Sequence, residues 1–357
     1  MANQKHLSLL KQGPRTWNQW RETVDEHPID EHPQVGQTSL NCPNLREATL
    51  SHANLREGAF NQVDFCMADL RQADLSRANL KEAILYTSDL QEANLREANL
   101  VGADLREANL VHADLSCSNL NMATLAMADL REATLREASL DGANLSHATL
   151  TQVDASMAKL REVVIDRADL RASRLYTADL TRANLYGANL SQSDLREATL
   201  TQANLREVDL RQADLSRAIL SLANMIGATL YHANLSWANL SMANLCMANL
   251  SHANLAGAVL IGTNLIGTNL YKASLTRANF AEADLREASL NEADLSNAKL
   301  AYANLGMANL SRANLQGANL RGANLRQANL WEANLDGACL VDAILPEGLI
   351  HGNISSQ

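Results

Sequence analysis

Histidine, cysteine and carboxylate side chains are the groups of this chain that could hold a metal or move a proton, and their spacing argues against both uses. Glu26-His27-Pro28 returns as Glu31-His32-Pro33, which offers two imidazoles but no third ligand at a recognisable spacing. The five cysteines, Cys42, Cys66, Cys117, Cys246 and Cys339, contain no C-x-x-C pair. An odd, scattered set suits a reducing compartment, so we expect a cytoplasmic chain without metal or cofactor. Asp recurs by rule at one position of a repeat, and no insertion interrupts that repeat to make a lid or cleft. Phosphate-cradling Gly loops and glycine-rich calcium repeats are absent. A catalytic site needs convergent groups in a concave, water-controlled place. We therefore expect no catalytic residue and no enzyme.

The elements that position these residues follow from a period of five. Every fifth residue from Leu40 to Leu345 is apolar, and all are Leu except Phe60, Phe65, Ala155, Ile165, Met225 and Phe280. Two residues earlier sits a small residue, usually Ala, with Pro43, Gly58, Ser88, Val153 and Thr263 among the exceptions. The residue just before the Leu is mostly Asn, Asp, Thr or Ser, giving A(D/N)Lxx. A helix would spray these Leu residues around its cylinder, because a five-residue step precesses by about 140°. A straight strand would send alternate Leu residues to opposite faces. The chain must turn a corner once per pentad. With four corners per circuit, successive coils stack at ~4.8 Å, and the repeat makes about 15 coils and a rod roughly 75 Å long. The short polar residues are expected at the turns, where they bond nearby backbone groups.

Stretches such as Ala93-Asn94-Leu95-Arg96-Glu97 and Ala318-Asn319-Leu320-Arg321-Gly322 resemble the pentapeptide-repeat family. The resemblance implies an all-β fold, a right-handed quadrilateral parallel β-helix; the hand and the four-fold count rest on it alone. We divide the chain into an N-terminal cap over 1–39, a solenoid over 40–345 and a tail over 346–357.

An open solenoid exposes core and unpaired backbone at its ends, so caps are expected. Leu7 and Leu10 precede a Gly13-Pro14 break, and Trp17, Trp20 and Val24 follow at helical spacing, which predicts two short helices over the first coil. The segment Trp17-Asn18-Gln19-Trp20-Arg21 is similar to the starts of cyanobacterial members of that family. Pro346 cannot donate to a ladder, so the last coil is expected to stop near Leu345, with Leu349 and Ile350 folding over it. The opening residues lack a secretory signal pattern, and no apolar run is long enough to span a bilayer.

Outside the core, Arg-Glu pairs recur, as at Arg96-Glu97, Arg106-Glu107 and Arg286-Glu287, and read as a solvated surface. Between Arg217 and Lys272 all charge disappears: residues 218–271 contain no Asp, Glu, Lys or Arg. One outward column there shows Leu222, Met242 and Ile261, and its neighbour Ile226, Cys246, Met247 and Ile266. Tyr231, His232, Trp237, His252 and Tyr271 lie on the other faces, with His232 and His252 one coil apart. Interfaces are enriched in aromatic residues and Met, and their centres are depleted of charge. We expect this band to bind a protein partner or a second copy.

Net charge is -10, from 40 acidic and 30 basic residues, which disfavours a nucleic-acid binder relying on a basic footprint. Some bacterial members of the family that this chain resembles mimic DNA and bind gyrase. A duplex of about 75 Å carries roughly 44 phosphate charges, far more than this chain's net charge. A spacer that holds partners at its two ends is the third reading.

Overall fold

The computed structural model describes residues 1–25 and 43–348. One pentad explains the rest, because all five of its N–H groups find acceptors. Leu70 donates to the Asp89 carbonyl at 2.8 Å and Gln72 to that of Gln91 at 2.9 Å, both on the following coil. Asp74 donates to Ala53 on the preceding coil at 2.9 Å. Ala73 closes a turn onto the Leu70 carbonyl at 3.1 Å. That leaves the Arg71 N–H, which the Asp69 carboxylate accepts at 3.2 Å. The same bond to the side chain two residues back recurs from Arg46 on Asn44 to Asp336 on Asn334. Buried backbone donors must be paired, and Asn or Asp before the Leu supplies the acceptor that ladder and turn leave out.

This places the corner differently from the sequence expectation. The Asn/Asp residue is the ladder residue of each pentad, pairing in parallel with its counterpart 20 residues on, as in Asn44 with Asp64 and Asn324 with Ile344. The turn falls on the two residues after the Leu, and the second has positive φ, for example +57° at Glu97 and +59° at Met242. A type II turn requires positive φ at that position. Bridges 20 residues apart and corners five apart make four pentads per coil. Among the described residues these bridges stay isolated, and no longer strand forms.

Two compact units result, Met1–Asp169 and Leu170–Gln357. In each, the central Leu and the small residue two before it point inward and are buried, typically at 0–1% exposure. Where Thr263 and Thr268 replace Ala, their hydroxyls donate to the carbonyls of Leu240 and Leu245 at 2.8 Å, so the added polar atoms are paired. In the last coil Leu330, Leu335, Leu340 and Leu345 are only half-buried.

The first unit opens with two helices, α1 (Gln4–Lys11) and α2 (Pro14–Asp25), broken at Gly13, where φ is +101°. Asn3 caps α1 by accepting from Lys5 N–H. Trp17 is fully buried, rests 5.5 Å from the Phe60 ring, and donates Nε1–H to the Ala59 carbonyl at 2.8 Å. Asn18 mimics a ladder strand, donating to the Glu57 carbonyl at 3.0 Å and accepting from Ala59 N–H at 2.8 Å. Of the tryptophan pair, Trp17 is inside and Trp20 half-exposed. The expectations for Glu26 to Pro33, Leu40, Cys42, Leu349 and Ile350 lie outside the described residues.

Candidate protein-binding surface

Each side of a coil runs from one turn to the next, and alternation sends the ladder residue and both turn ends outward. On the side spanning 222–226, the outward residues of three stacked coils are Leu222-Asn224-Ile226, Met242-Asn244-Cys246 and Gly262-Asn264-Ile266. Leu222 and Met242 are 51% and 61% exposed. Ile226, Cys246 and Ile266 are half-buried. Met247, at the next corner, is the most open of the set at 68%.

Three consecutive large side chains lie flat because glycine stands one coil beyond each. A Cβ on Gly257 would meet the Trp237 ring at 2.7 Å; on Gly262 or Gly267 it would meet the sulfur of Met242 or Met247 at 2.6 Å. The glycines thus seat Trp237, Met242 and Met247 along the surface around one level of the stack.

Tyr231, His232, His252 and Tyr271 form one aromatic cluster away from that side. His232 stacks on His252 at 5.0 Å, with Tyr231 4.2 Å edge-on to His232 and Tyr271 5.4 Å edge-on to His252. No group of three or more His, Cys, Asp or Glu residues arranged to hold a metal occurs among the described residues.

Sequence reasoning missed Ile219 and Val259. Both occupy ladder positions, flanking Asn239 in one column, and Ile219 is 41% exposed. The signal was available, since each replaces the usual Asn or Asp in the uncharged band. Ile261 does not share the column of Leu222 and Met242 as the sequence suggested, because the 20-residue register puts Gly262 there; together with Trp237 and Ile261, Ile219 and Val259 make the side before 222–226 apolar as well. Large exposed apolar residues also occur elsewhere, as at Met122, Met127 and Met307, but charged residues are interspersed there.

Charge outside the band is organised more tightly than adjacent Arg-Glu pairs suggest. Arg106, Arg196 and Arg286 turn to the Asp two residues before them rather than to the neighbouring Glu, with N–O distances of 2.6–2.7 Å. Hydrogen bonds from Arg71, Arg106 and Arg196 hold Asp69, Asp104 and Asp194 below the usual carboxylate range. Amides also run between coils: Asn254 donates to Asn234 at 3.1 Å, and Asn234 to Asp214 at 3.0 Å. Asp, having no donor, starts the run. The grooves between stacked side chains, such as that lined by Ser191, Gln192, Arg211, Gln212 and Tyr231, are open to solvent.

Flat sides, a 20-residue register and outward columns define a repeat solenoid. The chain belongs to the pentapeptide-repeat family: eight copies of the family pattern, described as pentapeptide repeats, match residues 44–81, 88–125, 128–165, 164–202, 203–241, 238–277, 278–317 and 308–345. Among solved structures it is similar to HetL, a pentapeptide repeat protein involved in heterocyst differentiation regulation from the cyanobacterium Nostoc sp. strain PCC 7120. The two are 38% identical over 60% of this chain and 92% of HetL, with a TM-score of 0.28. Rfr23 from the cyanobacterium Cyanothece 51142 is 40% identical over 30% of this chain and 58% of its own, at TM-score 0.22. QnrB1, a plasmid-mediated fluoroquinolone resistance protein, is 18% identical over 51% and 88%, at TM-score 0.25. No curated protein matches. No described helix is long and apolar enough to cross a membrane.

Proposed function

We propose that this protein is a non-enzymatic interaction or scaffold protein, a right-handed quadrilateral β-helix that binds another protein chain through residues 218–271. The observation that carries the reading is the coincidence of two features in one place. Charge is absent from the band, and Trp237, Met242 and Met247 are each more than half exposed and laid flat on glycine seats. Contiguous apolar surface of this kind marks interaction sites, because leaving it in water lowers solubility. Flat Met and Trp side chains provide contact area, and the Asn ladder residues between them provide hydrogen bonds. The three-part division into cap, solenoid and tail belongs to the same reading, with Trp17 and Asn18 closing one end.

Replacing Ile226, Met247 and Ile266 together by Lys tests it. These are outward positions, where substitutions alter stability little, so circular dichroism should stay native. Light scattering and a pull-down from the source cell should show loss of the wild-type assembly or partner. Unchanged assembly and partners in a natively folded variant would refute the proposal.

A further inference from the structure

The N-terminal cap is held to the first coil by groups that stand in for a preceding coil, and one of them titrates. Both backbone groups of the ladder residue Asn44 are paired from the cap: its carbonyl accepts from Asn3 N–H at 2.9 Å, and its N–H donates to His6 Nδ1 at 3.1 Å. Farther along the same coil, α2 pairs Ala59 through Asn18 and Trp17, and Arg21 donates to the Asn61 carbonyl at 3.1 Å. Amide, indole and guanidinium groups keep their hydrogen-bonding sense between about pH 5 and 8, whereas imidazole does not.

His6 can accept at Nδ1 only while that nitrogen is unprotonated, so the bond fixes the neutral ring with its proton on Nε2. Protonation sets a second N–H against that of Asn44, donor against donor. The surroundings do not favour the cation either. His6 is half-buried, its ring 4.9 Å from that of Trp20 and 6.4 Å edge-on to that of Trp17. Burial, and after it the positive charges of Lys5 from α1 and Arg21 from α2, hold its pKa below the usual histidine value. On the coil, Glu47 is taken by the amino terminus at 3.5 Å and lies 3.9 Å from Arg46. No carboxylate pairs with His6 among the described residues.

We infer that His6 is an acid-sensitive latch: neutral, it closes the cap on the first coil, and protonated, it releases α1 and α2 while the solenoid stays folded. Release bares the backbone of Asn44 and Ala59 and the Phe60 ring on which Trp17 rests, and an unpaired ladder edge is a template for pairing with another chain. Because the released ring binds a proton more readily than the docked one, the cap is fully held above about pH 6.5 and loosens as pH falls below it, until the docked ring protonates too. The latch belongs to the first unit and the band to the second, so neither depends on the other.

The test is hydrogen exchange of the full chain between about pH 7.5 and 5, with each amide's rate corrected for the intrinsic effect of pH. Protection of the α2 amides should fall roughly three- to thirtyfold over that range, whereas the laddered amides of the coil spanning 84–103 should keep theirs. His6→Asn retains an acceptor where Nδ1 stands but does not titrate. Its α2 protection, whatever the level at neutral pH, should vary less than about twofold. Wild-type protection that does not fall, or an equal fall in His6→Asn, overturns the latch. If His6→Asn leaves α2 unprotected at every pH, exchange of the His6 C2 hydrogen in the wild type decides, because its rate follows protonation of the ring. A midpoint below the pH at which α2 begins to lose protection supports the latch, and one at or above that pH overturns it.

Discussion

Left-handed backbone at the second turn residue is the recurring local expense of this fold, and most corners accept it with an ordinary residue, as at Glu97, Trp237 and Met247. At some corners, though not all, a neighbouring side chain demands glycine. At Gly322 a Cβ would sit 2.6 Å from the Tyr302 ring, whereas at Gly102 it would meet only the Glu82 side chain at 3.5 Å; φ is +64° and +65°. Gly102→Ala should therefore lose about 1 kcal/mol, the penalty of positive φ alone. Gly322→Ala should lose roughly 0.5–1.5 kcal/mol more, because the Tyr302 ring must leave its rotamer. In a Tyr302→Ala background that excess should vanish, which denaturation of the four variants measures as a coupling energy. Equal losses at the two glycines would show that the seats do nothing. Sequence alone displayed the glycines but not this division. Seeing it requires the 20-residue register, which places each glycine beneath a particular ring or thioether. The Asp-Leu-Arg clasps were hidden for the same reason, since adjacent Arg and Glu drew attention from the Asp two residues back.

At the scale of the coil, the sequence was legible because one geometric argument has few solutions. An apolar residue every five positions forbids a helix and a straight strand, and the bridges at 20 residues are what four corners per circuit require. The polar residue before each Leu was misplaced in the turn, because Asn and Asp favour turns in general. Here their carboxamide or carboxylate reaches forward to the turn N–H while their own backbone pairs with the coils on either side. The cap helices were legible from Gly13, Pro14 and the tryptophan spacing. That Asn18 would act as a rung of the ladder was not, because this depends on α2 lying along residues 57–61. The register makes a sharp prediction within the second unit. One residue inserted after Leu180 shifts every later ladder residue by one position, breaks pairs such as Asp179–Thr199, and should lower the thermal midpoint by at least about 5 °C. Twenty residues inserted at the same place add one coil, keep the register, and should leave the midpoint within about 3 °C. Equal effects of the two insertions would contradict strict register.

For the molecule as a whole, the proposed function depends on where charge is missing. A net charge of -10 spread over pairs and clasps keeps most of the surface wet, and the band at 218–271 is the interruption. Its existence was legible in sequence as an absence of Asp, Glu, Lys and Arg, and its columns as positions 20 apart. Its flatness was not, because the glycine seats and the ladder residues Ile219 and Val259 acquire meaning only once the sides are known. The most direct test of the band as a contact surface is oxidative footprinting of methionine, since the chain carries its own controls. Met242 and Met247 are 61% and 68% exposed in the band, and Met122 and Met307 are 70% and 53% exposed outside it. Exposed thioethers oxidise readily to the sulfoxide, so all four should react at comparable rates in dilute purified protein. At concentrations where the chain is assembled, or in extract of the source cell, Met242 and Met247 should become several-fold slower while Met122 and Met307 keep their rates. Four methionines that react alike in every condition would contradict the account.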